Sequence, residues 1–256
     1  MIETSLALYE DIACEYYDSI RHPTCANFRE ASAILIRRWL QRLPPGACWF
    51  CEVGAGKSLL AELLATEGSP PADLIITDSS PAMLSYSRPW AGTRTHLVLS
   101  DSIMLPITDE GLDLVVSSLG DPYNLPAFWR EVYRTLKPGG SAFFTTPAYD
   151  WASAFRDSSG SDLEFAEFEL LGGECVQVPS WIYPAEKQVE MIEESGLHVK
   201  ESSRVSILEI ASHYLSPKLL MERGQNADVV EGYLITKPLE PLTKPSEHHG
   251  ALMQPV

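Results

Sequence analysis

The sequence predicts an α/β fold built around a mostly parallel β-sheet. Apolar segments typical of buried strands alternate with segments of helical periodicity between residues 48 and 147, and strands separated by helices form parallel sheets with right-handed crossovers. The composition, 45% apolar and 21% charged, is that of a globular domain and excludes collagen-like, coiled-coil and wholly disordered chains. Acidic, glycine or serine residues follow four strands, and ligands bind at the carboxyl ends of the strands in such sheets.

The first 45 residues are predicted to be a helical N-terminal cap. Apolar residues recur at helical spacing within residues 28–43, and Pro44-Pro45-Gly46 ends that helix. The core follows over residues 46–147. Its five strands are predicted, from their mostly apolar composition, at 48–53, 73–78, 96–101, 112–119 and 141–147. The helices between them are predicted at 57–66, from residue 81, and at 125–136, the last one stopped by the Lys-Pro-Gly-Gly segment at 137–140.

The pattern changes after Pro147. Residues 148–184 are predicted to be an insertion with a β-hairpin at 168–178, because Gly172-Gly173 suits a two-residue primed turn. The C-terminal part of the core is predicted over residues 185–238, with helices at 184–195 and around 209–222 and strands at 198–207 and 228–238. Residues 239–256 are rich in proline and have little apolar pattern, so we expect this tail to be disordered.

Charge and cysteine usage limit the class of protein. The 35 acidic and 19 basic residues give a net charge of −16, which repels phosphate backbones and argues against binding of DNA or RNA. The N-terminus has no signal-peptide pattern and no segment approaches a membrane span, so we expect a cytoplasmic protein without a membrane partner. Cys48 and Cys51 form a C-x-x-C, but strand geometry points them to opposite faces and no second pair completes a metal site. We therefore expect no metal.

The glycine-rich turn after the first core strand could hold three kinds of cofactor. A nucleoside triphosphate requires G-x-x-x-x-G-K-[ST], but the position five residues before Gly56 is Cys51. A dinucleotide requires G-x-G-x-x-G, but the third glycine position is Leu59, and Glu52 would repel a pyrophosphate.

S-adenosylmethionine has no phosphate and carries a sulfonium and an ammonium group. An acid such as Glu52 is then favourable, and the glycines allow close approach of the backbone. Asp78 can accept hydrogen bonds from both ribose hydroxyls, and Asp101 can accept one from the adenine amino group, with Ile103 or Met83 packing on the ring. Taken singly, Asp78 or Asp101 could instead cap a helix.

At this point the sequence resembles the class I S-adenosylmethionine-dependent methyltransferases. The resemblance covers about residues 9–147 and rests on the segments FCEVGAGKS, LIITDSS, LSDSIMLPITDEGLDLVVSSL and LKPGG, with Ser58 where many members have a third glycine. It implies a Rossmann-like seven-stranded sheet whose last strand is antiparallel, which strands 198–207 and 228–238 would complete. The segment YEDIACEYYD resembles the helical lead of members that act on small molecules, where a tyrosine closes over the cofactor.

The predicted ligand is S-adenosylmethionine, with S-adenosylhomocysteine as product. Its binding residues are predicted to be Tyr16, Glu52, Gly54, Ala55, Gly56, Asp78, Ser79, Met83, Asp101, Ser102, Ile103 and Ser117.

The acceptor of the methyl group is expected beside the segment SSLGDPYN, which follows strand four. This segment is weakly similar to the [DN]-P-P-[YF] motif of amino-group methyltransferases, although it also reads as a simple turn. Its polar residues Asp121, Tyr123 and Asn124 are the first catalytic candidates. His22, in a polar cluster with Arg21, Asn27 and Arg29 between two helices, is the next candidate, and His213 could reach the site from the late helical stretch.

The insertion contributes aromatic residues that could form a wall of the acceptor pocket or simply pack a small subdomain; they are Trp151, Phe155, Trp181 and Tyr183. The resulting hypothesis is methyl transfer to an oxygen or nitrogen atom of a small-molecule acceptor. The alternatives are a protein or peptide methyltransferase and a non-catalytic binding protein that keeps the fold. The sequence makes no prediction of the oligomeric state.

Overall fold

The computed structural model describes residues 5–6, 8–67, 72–155, 163–211, 214–220 and 227–239. The strands are β1 (Ser5–Leu6), β2 (Trp49–Glu52), β3 (Asp73–Asp78), β4 (Thr95–Leu99), β5 (Leu112–Ser117), β6 (Leu136–Pro147), β7 (Leu163–Glu169), β8 (Cys175–Ile182), β9 (His198–Ser206) and β10 (Asp228–Thr236). The helices are α1 (Tyr9–Ile12), α2 (Pro23–Leu40), α3 (Leu59–Glu67), α4 (Pro81–Ser85), α5 (Pro126–Thr135), α6 (Tyr149–Ala152), α7 (Ala185–Glu194) and α8 (Pro217–Leu220).

A seven-stranded sheet in the order β4-β3-β2-β5-β6-β10-β9 forms the centre of the fold. β10 runs antiparallel to both of its neighbours, and the other six strands share one direction. This confirms the predicted α/β fold with a mostly parallel sheet and an antiparallel last strand. The order reverses between β2 and β5, so the strand ends on either side of this switch border one crevice.

Helices cover both faces of the sheet. Alternate residues of β6 point to opposite faces, so that Phe143 packs with α2 and α3 whereas Phe144 packs with α5 and α7. α2 lies directly on β10, because a Cβ at Gly232 would come within 2.7 Å of Leu35 and 2.8 Å of Trp39. This contact explains a glycine in the middle of a buried strand.

A second, three-stranded sheet in the order β1-β8-β7 stands beside the N-terminal segment. β7 and β8 form the predicted hairpin, which is longer than residues 168–178. β1 pairs in parallel with β8, so the prediction that residues 1–45 are helical is wrong at Ser5–Leu6. β1 is only two residues long, so it is too short to show the alternating pattern of a strand. It forms because β8, about 170 residues later in the sequence, offers an edge for pairing.

The turn of the hairpin also differs from the prediction. Leu170 and Glu174 close a three-residue loop, with the Leu170 N–H donating to the Glu174 carbonyl over 2.8 Å. Gly173 has a positive φ of 81°, whereas Gly172 does not have a positive φ. A two-residue primed turn of type I′ needs positive φ at both central positions, so the Gly-Gly pair builds a longer loop with one left-handed residue.

Two further elements have bounds that differ from the predicted ones. The Lys-Pro-Gly-Gly segment lies inside β6, because the Gly139 N–H donates to the Lys237 carbonyl over 2.9 Å and the Lys237 N–H donates to the Gly140 carbonyl over 3.0 Å. In place of a helix around 209–222 the structure has a 3₁₀ turn at Ile207–Glu209 and the short α8. His213, residues 156–162 and the tail beyond residue 239 lie outside the described residues.

Among the helices that the structure describes, none is long and apolar enough to cross a membrane.

Candidate active site

A cavity of about 690 Å³ lies at the carboxyl ends of β2, β3, β4 and β5, beneath the N-terminal lead and the edge of the hairpin. Ten predicted site residues line it: Tyr16, His22, Gly54, Ala55, Asp78, Ser79, Met83, Asp101, Ser102 and Tyr123. Six others do not: Glu52, Gly56, Ile103, Ser117, Asp121 and Asn124. The structure thus brings together most of the predicted cofactor residues and fewer of the catalytic candidates.

Glu52 is buried, with 1% of its surface exposed, and its carboxylate faces the start of α3. Its Oε1 accepts the N–H groups of Leu59 and Leu60 over 3.0 and 3.2 Å, and its Oε2 accepts the hydroxyl of Ser58. Ser58 Oγ in turn accepts the Ala61 N–H over 3.0 Å. The residue found in place of a third glycine therefore caps α3 together with Glu52.

The glycine-rich turn is covered by two tyrosines. Gly54 and Gly56 have φ angles of +60° and +48°. A Cβ at Gly54 would overlap Tyr123, and one at Gly56 would overlap the hydroxyl of Tyr17. The Tyr17 hydroxyl also accepts the Lys57 N–H over 2.8 Å. The glycines were predicted to allow close approach of a cofactor. In the structure they also allow close approach of these two aromatic side chains, because glycine has no Cβ.

Asp78 ends β3 and is 8% exposed at the cavity. Its Oδ2 accepts the Gly56 N–H over 2.8 Å and its Oδ1 accepts the Ser80 N–H over 2.9 Å. Burial raises the pKa of Asp78, and the backbone N–H groups oppose this shift. Each carboxylate oxygen keeps a lone pair for a ligand hydroxyl.

The turn after β4 presents a second acid. Asp101 is exposed and lines the cavity, and its Oδ1 accepts the Ile103 N–H over 3.1 Å. Ile103 is 48% exposed and does not line the cavity, so of the two residues predicted to pack on a ring only Met83, 5% exposed, borders the cavity.

Two cations at the cavity were not among the predicted site residues. Arg29 of α2 donates to the Lys57 carbonyl over 2.8 Å and to Glu62 over 2.5 Å, and both Arg29 and Lys57 line the cavity. The sequence shows Arg29 in a polar cluster, but it does not predict that α2 packs next to the glycine-rich turn.

The segment after β5 contains a strained residue at the cavity wall. Leu119 has a φ of +54°, in the left-handed region that non-glycine residues rarely adopt. Thr145 holds this turn by accepting the Leu119 N–H at its Oγ1 and the Gly120 N–H at its carbonyl, both over 2.9 Å.

Tyr123 is the one catalytic candidate of this segment that lines the cavity. Its hydroxyl donates to the Val53 carbonyl over 2.6 Å and lies 2.9 Å from Ser117 Oγ. Burial raises the pKa of Tyr123. The hydroxyl is therefore held neutral and shapes the wall beside Gly54.

Asp121 and Asn124 are not at the cavity, contrary to expectation. Asp121 is 7% exposed and its carboxylate accepts the hydroxyl of Ser180 in β8. Asn124 is fully buried and bonds the Trp181 carbonyl, Trp129 and Gln188 over 2.6 to 3.2 Å. Both residues join the turn after β5 to the hairpin and α7, because the 3₁₀ turn at Asp121–Tyr123 carries their side chains beneath β8.

The aromatic residues of the insertion do not line the cavity either. Trp151 packs edge-on against Phe28 with ring centroids 4.8 Å apart, and Tyr183 belongs to the core beneath the sheet. The hairpin instead reaches the cavity through Pro179 and stands behind His22, whose ring stacks on Phe168 at 4.1 Å between ring centroids.

The residues at this cavity fit S-adenosylmethionine. Asp78 and Asp101 can accept from hydroxyl and amino groups, Arg29 and Lys57 suit a carboxylate, and Gly54 and Ala55 of the glycine-rich turn border the same cavity. No group of three or more His, Cys, Asp or Glu side chains that could hold a metal occurs in the described ranges.

Part of the chain is similar to known methyltransferases. Residues 50–140 match the model of the methyltransferase domain. The chain is 30% identical over 145 residues to malonyl-[acyl-carrier protein] O-methyltransferase of Marinomonas sp. strain MWYL1, covering 55% of this chain and 51% of that one. It is 31% identical over 97 residues to the biotin biosynthesis bifunctional protein BioHC of Cellvibrio japonicus, covering 37% of this chain and 19% of that one. The chain thus spans about half the length, or less, of these curated relatives.

Among solved structures, the S-adenosylmethionine-dependent methyltransferase of Mesorhizobium loti superimposes with a TM-score of 0.57 at 16% identity, covering 80% of this chain and 98% of that one. The strand order, the antiparallel β10 and the matched domain agree with one another. Together, the methyltransferase-domain match over residues 50–140 and the shared fold support the predicted similarity to the class I S-adenosylmethionine-dependent methyltransferases.

Proposed function

We propose that the cavity binds S-adenosylmethionine and that the protein transfers the methyl group to an oxygen or nitrogen atom of a small molecule. The observation that carries this proposal is the cavity itself, with Asp78 and Asp101 on one side and the N-terminal lead closing it on the other. Residues from Leu8 to His22 and Pro179 of β8 border the space above the strand ends. Such enclosure favours a small acceptor over a side chain presented by a folded protein.

The proposed contacts follow from the chemistry of each part of the ligand. Asp78 accepts from the ribose hydroxyls, Asp101 and Ser102 face the adenine amino group, and Met83 packs beside the ring. The backbone of Gly54 and Ala55 lies beside the methionine portion. Ser79 lies next to the ribose, and Tyr16 closes the cavity from the lead.

Arg29 and Lys57 are proposed to bind the carboxylate of the methionine portion, because they are cations beside the glycine-rich turn. Glu52, Gly56 and Ser117 are proposed to act indirectly, by shaping α3, the turn and the Tyr123 wall.

The ligand supplies a methyl group already activated by the sulfonium, so much of the rate acceleration can come from positioning. The lead is fastened over the cavity at two points: the Tyr86 hydroxyl donates to the Ala13 carbonyl over 2.7 Å, and Glu10 accepts the Ala82 N–H over 3.1 Å. These bonds fasten the lead to α4 over the cavity, and a covered cavity excludes water. The name of the Marinomonas relative, an O-methyltransferase, supports an oxygen acceptor.

The first test is calorimetric titration of the purified full chain with S-adenosylmethionine and S-adenosylhomocysteine. We expect micromolar binding of both. Labelled methyl transfer in a metabolite extract and in a protein extract then separates the remaining possibilities, and we expect label in the low-mass fraction. Label in protein would favour a protein methyltransferase, and binding without turnover in either extract would favour a non-catalytic binding protein.

A further inference from the structure

Where the N-terminal lead meets the hairpin, the cavity wall contains an imidazole held by a carboxylate. His22 Nε2 lies 3.2 Å from Glu15 Oε2, and the two side chains are only 10% and 13% exposed. His22 lines the cavity, whereas Glu15 lies behind it. With Nε2 donating to the carboxylate, the other ring nitrogen is unprotonated and can accept a proton.

Three elements fix this pair. His22 precedes α2, whose first residue is Pro23, so the start of the helix sets the backbone of His22. The ring stacks on Phe168 of β7, with an interplanar angle of 25°. Glu15 Oε1 accepts the N–H of Leu171, at the hairpin turn, over 3.1 Å. The hairpin therefore supports both members of the pair, although it contributes little to the cavity surface itself.

Among the described residues around it, the neighbours of His22 are less suited to accept a proton from a ligand. Burial raises the pKa of the Tyr16 hydroxyl, and it raises the pKa of the Cys25 thiol to about 12, so both stay neutral. Asp121 bonds Ser180. Arg21 lies 3.6 Å from Glu15 and does not line the cavity. Lys218 of α8 is the remaining charge that acts on Cys25.

We propose that His22 is the general base of the methyl transfer, that Glu15 is its positioning residue, and that the acceptor is an aromatic or enolic hydroxyl. This proposal rests on the proposed function. A carboxylate acceptor carries no proton to remove, and a neutral amine attacks before it loses one. A phenol, with an ordinary pKa of about 10, is the acceptor for which an imidazole base is matched. Tyr16, Pro122 and Pro179 border the same region and suit a flat ring.

The atoms of the step balance. The acceptor hydroxyl gives its proton to the free nitrogen of His22, and its oxygen forms the new bond to the methyl carbon. The carbon–sulfur bond breaks, and its electron pair stays on sulfur to give the neutral thioether. The positive charge of the sulfonium is thereby replaced by that of the imidazolium, which Glu15 stabilises until the proton leaves to solvent.

The experiment uses the full chain and begins with S-adenosylhomocysteine titration. Catechol and methyl 4-hydroxybenzoate are then offered as phenols, with a malonyl thioester and benzylamine as comparators, and S-adenosylhomocysteine formation is measured from pH 6 to pH 9.5. We expect transfer to a phenol. We expect His22→Gln to lower kcat about 100-fold or more at pH 7, with a smaller loss at high pH where the phenol ionises unaided.

Glu15→Gln should lower kcat about 10-fold and move the acid limb of the pH profile to lower pH, because the imidazolium loses its carboxylate. His198→Gln is the matched control: His198 Nδ1 lies 3.1 Å from Glu193 Oε1 in a similar pair, but outside the cavity, and this variant should behave as the wild type. All three variants should bind S-adenosylhomocysteine within about 2-fold of the wild type, which shows that they are folded.

A second readout does not require an acceptor. Nitrogen-15 NMR of the imidazoles should show the neutral His22 ring protonated on Nε2, and Glu15→Gln should remove this preference for one tautomer. The proposal is overturned if a protein that binds S-adenosylhomocysteine methylates neither phenol, if it methylates only the thioester or the amine, or if His22→Gln retains wild-type kcat at pH 7. Failure of the wild type to bind S-adenosylhomocysteine would instead overturn the proposed function.

Discussion

Asp78 and Glu52 are both acids at strand ends, but the structure gives them different surroundings. Asp78 faces the cavity. Each of its carboxylate oxygens accepts one backbone N–H and can accept a second hydrogen bond from a ligand in the cavity. The carboxylate of Glu52 instead accepts hydrogen bonds from N–H groups in the first turn of α3. The sequence could place both at the edge of the sheet, because each follows a clear strand. Which one turns toward the cavity depends on the direction of the side chain at the end of each strand.

Asp78→Ala tests the proposed ribose contact. Because hydrogen bonds to a charged group contribute about 1.5–3 kcal/mol each, we expect S-adenosylhomocysteine affinity to fall about 10- to 100-fold in calorimetric titration. Asp73→Ala is the control, since Asp73 begins the same strand and pairs with Arg94 over 3.0 Å, away from the cavity. Equal affinities of the Asp78→Ala variant and the wild type would contradict the assignment.

Glu52→Gln tests the buried carboxylate through the pH dependence of stability. Burial raises the pKa of Glu52 above its ordinary 4.5, so the folded protein keeps a proton that the unfolded chain has already released. The free energy of unfolding of the wild type should therefore decline, relative to that of the variant, as the pH rises through the range just above 4.5. Urea denaturation at several pH values measures this difference.

Glu201→Gln gives the opposite sign and is the control for that measurement. Its hydrogen bond with Arg42, followed by those with Trp39 and Ser203, lowers the pKa of Glu201 to about 2. The wild type should gain stability over this variant as the pH rises from about 2 to 4.5 and then hold that gain. A Glu52 difference that does not change with pH would mean that this carboxylate is ionised in both states.

At the scale of the elements, local patterns predicted most of the strands and helices, and β3 was predicted with its observed bounds. β9 and β10 were predicted at 198–207 and 228–238, close to their observed bounds, and α5 and α7 were predicted to end at the glycines and prolines that follow them. Two of the errors share a cause, because β1 and the extension of β6 through Gly139 both depend on hydrogen bonds to distant strands. The hairpin loop is closed locally, between Leu170 and Glu174, and it differs from the prediction because only Gly173 has a positive φ.

Gly173→Ala tests the hairpin loop. No heavy atom lies within 4 Å of a Cβ built at Gly172 or Gly173, but only Gly173 has a positive φ. We expect Gly173→Ala to destabilise the hairpin by about 1 kcal/mol, seen as hydrogen exchange about 5-fold faster in β7 and β8. Gly172→Ala, in equally open space, should leave the exchange rates unchanged. Equal effects of the two substitutions would show that the loop has another conformation.

At the scale of the whole molecule, the net charge of −16 acts on any charged ligand. S-adenosylmethionine carries one more positive charge than S-adenosylhomocysteine, so the field of the protein favours the substrate over the product at low salt. We expect the ratio of the two affinities to shift toward the product by roughly 2- to 5-fold between about 20 mM and 500 mM NaCl, because salt screens charges beyond the first few ångströms. Calorimetric titration at both salt concentrations measures this ratio. A constant ratio would show that the net charge of the protein does not affect ligand binding at the site.

The sequence by itself determined the order of the elements and the set of acids and glycines that gather at one edge of the sheet. Both follow from local periodicity and from the rule that parallel strands end at a common edge. Only the tertiary structure decided which of these residues face the cavity, that Tyr17 and Tyr123 cover the glycines, and that Glu15 is held by Leu171, 156 residues away. Such contacts join segments whose spacing in sequence carries no information about their spacing in the fold, so they arise from packing alone.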